Sequence, residues 1–148
     1  MSVGVSLEGM LPRETASAEE TRSLGARLSA VLPAGAVVAL VGDLGAGKTH
    51  LVKGLVDGLG GAGDEVSSPT FTIAQEYEAD GDLILHVDAY RVDDPREFVE
   101  MGLEDSMDAA RLVAIEWPEK MGSALPPDAV RVEITHLGGD RRRIRYLP

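Results

Sequence analysis

Cysteine is absent from the 148 residues, which excludes disulfides and thiolate metal sites. Histidine is scarce too, and His50, His86 and His136 are too scattered to suggest a zinc site. No apolar run approaches the ~20 residues of a membrane span. Residues 1–11 also lack the basic start and long apolar stretch of a secretion signal, so a soluble, cytoplasmic protein is expected. Positive charge is in short supply: 14 Lys and Arg stand against 25 Asp and Glu, a formal net charge of -11. Such a balance opposes an extended grip on a phosphate backbone. Of the three lysines, Lys48, Lys53 and Lys120, none lies in the [NT]-K-x-D segment a guanine-reading switch would need. Repeats, low-complexity tracts and a second core are likewise missing, and the length suits one domain spanning residues 1–148.

What the chain does have is a phosphate-binding loop. Residues 42–49 read Gly-Asp-Leu-Gly-Ala-Gly-Lys-Thr, matching G-x-x-x-x-G-K-[ST] at every specified position. The apolar run 36–41 before it suits a strand buried on both faces. After it, Leu51, Val52, Leu55, Val56 and Leu59 recur at helical spacing. Strand, loop and helix are the context the motif requires. Gly42, Gly45 and Gly47 are expected to turn the backbone with positive φ, and Asp43, Leu44 and Ala46 complete the cradle of N–H groups. Lys48 would bring its charge to the outer phosphates of ATP, and the Thr49 hydroxyl would ligate a bridging Mg²⁺.

The remaining elements follow from pattern. Residues 15–32 read as an amphipathic helix capped by Thr15 or Ser17, with Leu24, Leu28 and Val31 on one face. Gly58, Gly60, Gly61 and Gly63 read as a flexible stretch. Residues 71–77 read as a strand with Phe71, Ile73, Gln75 and Tyr77 on one face, and 80–82 as a hairpin-type turn into a second strand, 83–87. Short helices are expected over 95–102, with Phe98 and Met101 inward, and over 103–110. Further strands lie at 112–115, at Val130, Val132 and Ile134, and at Ile144 and Tyr146.

Two acids follow apolar strands, where ligands of open α/β sheets bind. Glu116 has the placement of a carboxylate that holds Mg²⁺ directly or through water. Asp88 would hold a metal-bound water or orient the attacking one. Thr70 lies after the glycine-rich stretch, where a hydroxyl would sense the terminal phosphate. Trp117 is open to two readings, core residue or partner anchor. So is the cluster Arg141, Arg142, Arg143 and Arg145, as a solvated edge strand or a docking patch.

Together, the loop at 42–49, Ser68-Pro69-Thr70-Phe71, His86-Val87-Asp88-Ala89-Tyr90-Arg91 and Glu116-Trp117-Pro118-Glu119 resemble the TsaE (YjeE) family of bacterial P-loop ATPases over essentially the whole chain. The resemblance implies a small α/β domain of the P-loop NTPase kind, with a central, mostly parallel sheet, antiparallel additions and flanking helices. It implies a Mg²⁺-dependent ATPase that supports the partners TsaB and TsaD in threonylcarbamoyl-adenosine modification of tRNA and meets tRNA only through them. It also assigns roles: 42–49 to the phosphates, Thr49 and Glu116 to Mg²⁺, Asp88 to hydrolysis with Lys48 and Glu116, Thr70 to a switch-like segment, and the region of Ser17 and Ala18 to the adenine. His50 departs from the family's common second threonine. The alternative is a small-molecule kinase. It would need an arginine-rich lid, and Arg91, Arg96 and Arg111 form no compact one.

Overall fold

The apolar runs on either side of the phosphate loop become the middle of a seven-stranded sheet. The computed structural model describes residues 3–43, 47–67 and 73–148, with only the backbone described at 3–6. In chain order the elements are α1 (Val3–Met10), β1 (Arg13–Thr15), α2 (Ala18–Ser29), β2 (Ala36–Val41), α3 (Lys48–Gly58), β3 (Ala74–Ala79), β4 (Asp82–Asp88), α4 (Arg96–Glu100), α5 (Leu103–Ala109), β5 (Leu112–Glu116), β6 (Val130–Gly138) and β7 (Arg141–Leu147). Two 3-10 segments, Gly63–Glu65 and Pro118–Ala124, complete it.

The strand order is β1-β7-β6-β2-β5-β4-β3. The central four, β6, β2, β5 and β4, are parallel, while β1, β7 and β3 join antiparallel at the two sides. Parallel strands are covered on both faces. Accordingly Ile84, Leu112 and Ala114 point into a core with α1, α2 and α3. Where a single core was expected there are two, one on each face of the sheet: Leu85, Val113 and Ile115 point into a second core with Phe98, Leu103, Met107 and Met121.

Several expectations change here. Thr15 belongs to β1, not to the helix, because it pairs with Arg142 across the sheet; Ser17 is the cap of α2, its Oγ accepting from the Glu20 N–H at 3.1 Å. The basic cluster is therefore not an edge strand, since β1 covers β7. Met101 is 48% exposed instead of inward: α4 stops at Glu100 and Gly102 turns left-handed at φ 70°, which breaks the spacing that linked it to Phe98. The glycines at the end of α3 and just beyond it form a packed corner and not a flexible stretch. A Cβ on Gly58 would stand 2.0 Å from Ser29 Oγ and one on Gly63 2.4 Å from an Asp57 carboxylate oxygen. The hairpin between β3 and β4 is as expected, with Asp80 at φ 52° and Gly81 at φ 86°, the positive-φ pair of a tight two-residue turn.

Candidate functional site

Register sets the site. Leu40, at the end of β2, lies opposite Glu116 of β5, and Glu116 lies opposite Asp88 of β4. The phosphate loop and both strand-end acids therefore emerge side by side at the carboxyl end of the sheet, the location expected of a ligand site in an open α/β fold.

Gly47, the residue that caps the start of α3, lies in the left-handed region at φ 102°, a conformation that disfavours any side chain. Gly42, expected to share that freedom, has no positive φ. Asp43 is exposed; Leu44, Gly45, Ala46 and Thr70 lie outside the described residues. Lys48 is 4% exposed. Its ammonium donates to the Gly42 carbonyl at 2.7 Å and stands 4.4 Å from the centre of the Trp117 ring, a cation–π contact worth about 2 kcal/mol when desolvated. Thr49 follows on the first turn of α3, half-buried.

Glu116 is 4% exposed, and its carboxylate shares a 2.6 Å hydrogen bond with His86 Nε2. His86 is fully buried, its ring 6.2 Å from that of Tyr77, and its Nδ1 has no partner among the described residues. A carboxylate held from behind in this way has one orientation. Asp88 is half-buried. One carboxylate oxygen accepts from the Tyr90 N–H at 3.0 Å, and its own N–H donates to the Ile73 carbonyl at 2.7 Å. Burial pushes the Asp88 carboxyl above the usual carboxylate range. The Tyr90 N–H, His86 and Lys48 pull the other way, while the charge of Glu116 adds to the rise.

Trp117 is half-buried and sits at φ 57°, ψ 53°, a left-handed conformation uncommon for a bulky side chain and often found at functional positions. Its ring is 5.0 Å from that of Tyr90. The indole thus lies between Lys48 and the segment after Asp88, lining the site while it packs against the edge of the second core. Trp117 also borders a cleft of ≈ 450 Å³ with Gly42, Asp43, Glu133 and His136.

One residue not anticipated as part of the site is Arg142. Its Nε lies 3.0 Å from the position a Cβ on Gly47 would take, so its side chain abuts the phosphate loop. Its strand partner is Thr15, which brings the segment leading to Ser17 and Ala18 to the same side. The arginine run itself is the only sequence signal for it; pairing with β1 selects which member turns inward.

A phosphate loop at the end of a central parallel strand, with strand-end acids beside it, defines a P-loop protein of the α/β class. Bacillus subtilis YdiB, known from a crystal structure, has the same fold: it superposes with a TM-score of 0.72 at 30% identity, covering 92% of this chain and 83% of that one. The family model described as "Threonylcarbamoyl adenosine biosynthesis protein TsaE" matches residues 15–144, and the chain belongs to the TsaE family. Proteins named tRNA threonylcarbamoyladenosine biosynthesis protein TsaE are 43% identical over 90% of this chain and 83% of their own in Nostoc sp., and 38% identical over 89% and 82% in Bacillus subtilis. The Streptomyces coelicolor protein of that name is 42% identical over 80% and 81%. Among the described residues, no helix is long and apolar enough to cross a membrane.

Proposed function

We propose that the protein binds ATP with Mg²⁺ at this strand end, hydrolyses it, and so serves tRNA threonylcarbamoyladenosine biosynthesis in the cytoplasm. Its partners would be TsaB- and TsaD-type proteins, with tRNA met only through the complex. The observation that carries the reading is the register that sets Glu116 and Asp88 side by side with the end of β2, the strand that runs into the loop leading to Lys48. Family membership supports the pathway.

Lys48 would exchange the Gly42 carbonyl for the outer phosphates, a charge-assisted contact stronger than the neutral one it replaces. The N–H groups of the 42–49 loop and the start of α3 would cradle the phosphates, and Ala18 would lie on the adenine side. The Thr49 hydroxyl and the Glu116 carboxylate, fixed by His86, are hard oxygen donors of the kind Mg²⁺ takes. Bound there, the ion neutralises phosphate charge. Asp88 would orient the attacking water, its raised affinity for protons suiting it to accept one. Thr70 is assigned phosphate sensing on sequence alone. In the ATP state these contacts favour docking of the partners; hydrolysis removes them and resets the complex.

Calorimetric titration with ATP and Mg²⁺, paired with phosphate-release assays, tests the scheme. Lys48→Ala should weaken binding by at least about tenfold, some 1.4 kcal/mol. Asp88→Asn should bind nearly as wild type yet lose hydrolysis. Equal turnover in the Asp88 variant would remove that residue from the mechanism, and phosphate transferred to an added small molecule instead of water would favour the kinase reading.

A further inference from the structure

On the face of the sheet away from α2 and α3, the second core leaves an open groove of ≈ 510 Å³. Its floor is Phe98, Met107 and Met121, all buried, and Leu125 and Pro126 form the opposite lip. On the near lip stands Val99, 69% exposed, and two residues on Met101 is 48% exposed. Isolated apolar residues on a surface need no explanation, but apolar side chains rising beside an apolar groove form a patch that pays a continuing hydration cost.

Charge on the rim is mostly acidic. Glu104 and Asp108 line the groove, and Glu97, Glu100 and Asp105 stand exposed on the same helix pair. Of the basic residues here, Arg96 is tied to Asp94 by hydrogen bonds of 2.9 and 2.7 Å, and Lys120 stands exposed on the opposite wall. A small apolar molecule would make no use of such a rim, and nucleic acid would be repelled by it. A second copy of this acidic chain would bring like charge to it.

We propose that this groove docks a basic amphipathic segment of a partner protein, its apolar side chains seated on Phe98, Met107 and Met121 and its Lys or Arg residues meeting the acidic rim. The position is informative. One wall, α4, is reached by the chain leaving Asp88, and the other, Pro118–Ala124, begins directly after Trp117. An occupant would rest on the two segments that lead out of the strand-end acids. The groove is separate from the phosphate loop, and the proposal stands whether or not ATP is the ligand there.

The methionines supply the probe. With the methionine methyls labelled with ¹³C, a synthetic helical peptide of leucine and lysine should shift the Met107 and Met121 signals while leaving Met10, in the other core, unmoved. Val99→Asp, and separately the pair Glu104→Lys and Asp108→Lys, should each weaken that binding about tenfold or more; all three positions are exposed, so the charge pair still decides the matter if Val99→Asp misfolds. Several results would overturn the proposal: equal binding of a peptide with serine for leucine, equal binding of one with glutamate for lysine, or shifts spread to Met10. Self-association that Val99→Asp abolishes would do so as well, assigning the groove to a second copy.

Discussion

Asp88 illustrates how the role proposed for a single side chain stands in tension with stability. Burial raises its affinity for protons, and the nearby Glu116 charge acts in the same sense. A carboxyl raised in the folded state contributes stability that is fully present below its ordinary value of 3.8 and is lost as pH rises through the folded value. At neutral pH the ionised Asp88 therefore costs stability. Asp88→Asn keeps an oxygen to accept the Tyr90 N–H and carries no charge. The variant should be more stable than wild type at pH 7 by on the order of 0.5–1 kcal/mol, reduced from a fully buried case by solvent screening. Thermal melts should place it about 1–4 °C higher, with the gap closing below pH 3.8. A gap that persists in acid would assign the gain to something other than the carboxyl's charge. Residue identity made Lys48, Asp88 and Glu116 readable in the sequence, since each sits at a strand end or in a motif. The roles of His86, Trp117 and Arg142 were not readable to that degree: a hydrogen bond between neighbouring strands, a left-handed backbone and a long-range pairing are properties of the assembled sheet.

Among the elements, α2 and α3 depend on closeness. A Cβ on Gly54 would stand 1.9 Å from the Arg22 carbonyl oxygen, and one on Gly25 2.4 Å from that of Leu51. The obstructing atoms are backbone, so no side-chain rotation relieves them. Arg22 then clamps the pair, donating to Asp57 at 3.0 Å and to Asp64 at 2.6 Å. Gly54→Ala must push the helices apart despite its favourable helix propensity of about 1 kcal/mol, and a net loss of about 2–3 kcal/mol is expected, in line with other overpacked sites. Urea unfolding with an unchanged slope would measure it; a stabilised variant would mean the approach is looser than described. Since α3 carries Lys48 and Thr49, the same variant should weaken nucleotide binding. The legibility of elements divides by range of interaction. Strands β2 and β5 declare themselves through unbroken apolar runs, and α2 and α3 through spacing. By contrast β1 is Arg-Glu-Thr, with no strand pattern of its own, and exists because β7 offers it a ladder. Helix α1 likewise has no acidic residue in its first turn and no basic one in its last, and is held through Leu7 in the core.

For the molecule as a whole, the net charge of -11 sets a condition on binding a polyanion. Coulomb repulsion from the acidic surface opposes ATP, and local positive charge comes from Lys48 and Arg142 beside the loop. Among the described residues no group of three His, Cys, Asp or Glu is placed to hold a metal unaided, so Mg²⁺ is expected to bind well only together with the phosphates. A ligand that binds the folded state alone stabilises it by RT ln(1 + [L]/Kd), about 2.7 kcal/mol at a hundredfold excess over Kd. For a chain of this size that raises the melting temperature by roughly 5–11 °C. Four melts follow: free protein, Mg²⁺ alone, ATP with a chelator, and ATP with Mg²⁺. The first two should coincide, the third should rise a little and more so with added salt, which screens the acidic surface, and the fourth should show the full shift. Thr49→Ala should collapse the fourth onto the third, because it removes the hydroxyl through which metal and nucleotide would bind as one ligand. A full shift with the chelator present, or an undiminished one in Thr49→Ala, would separate the metal from the phosphate loop.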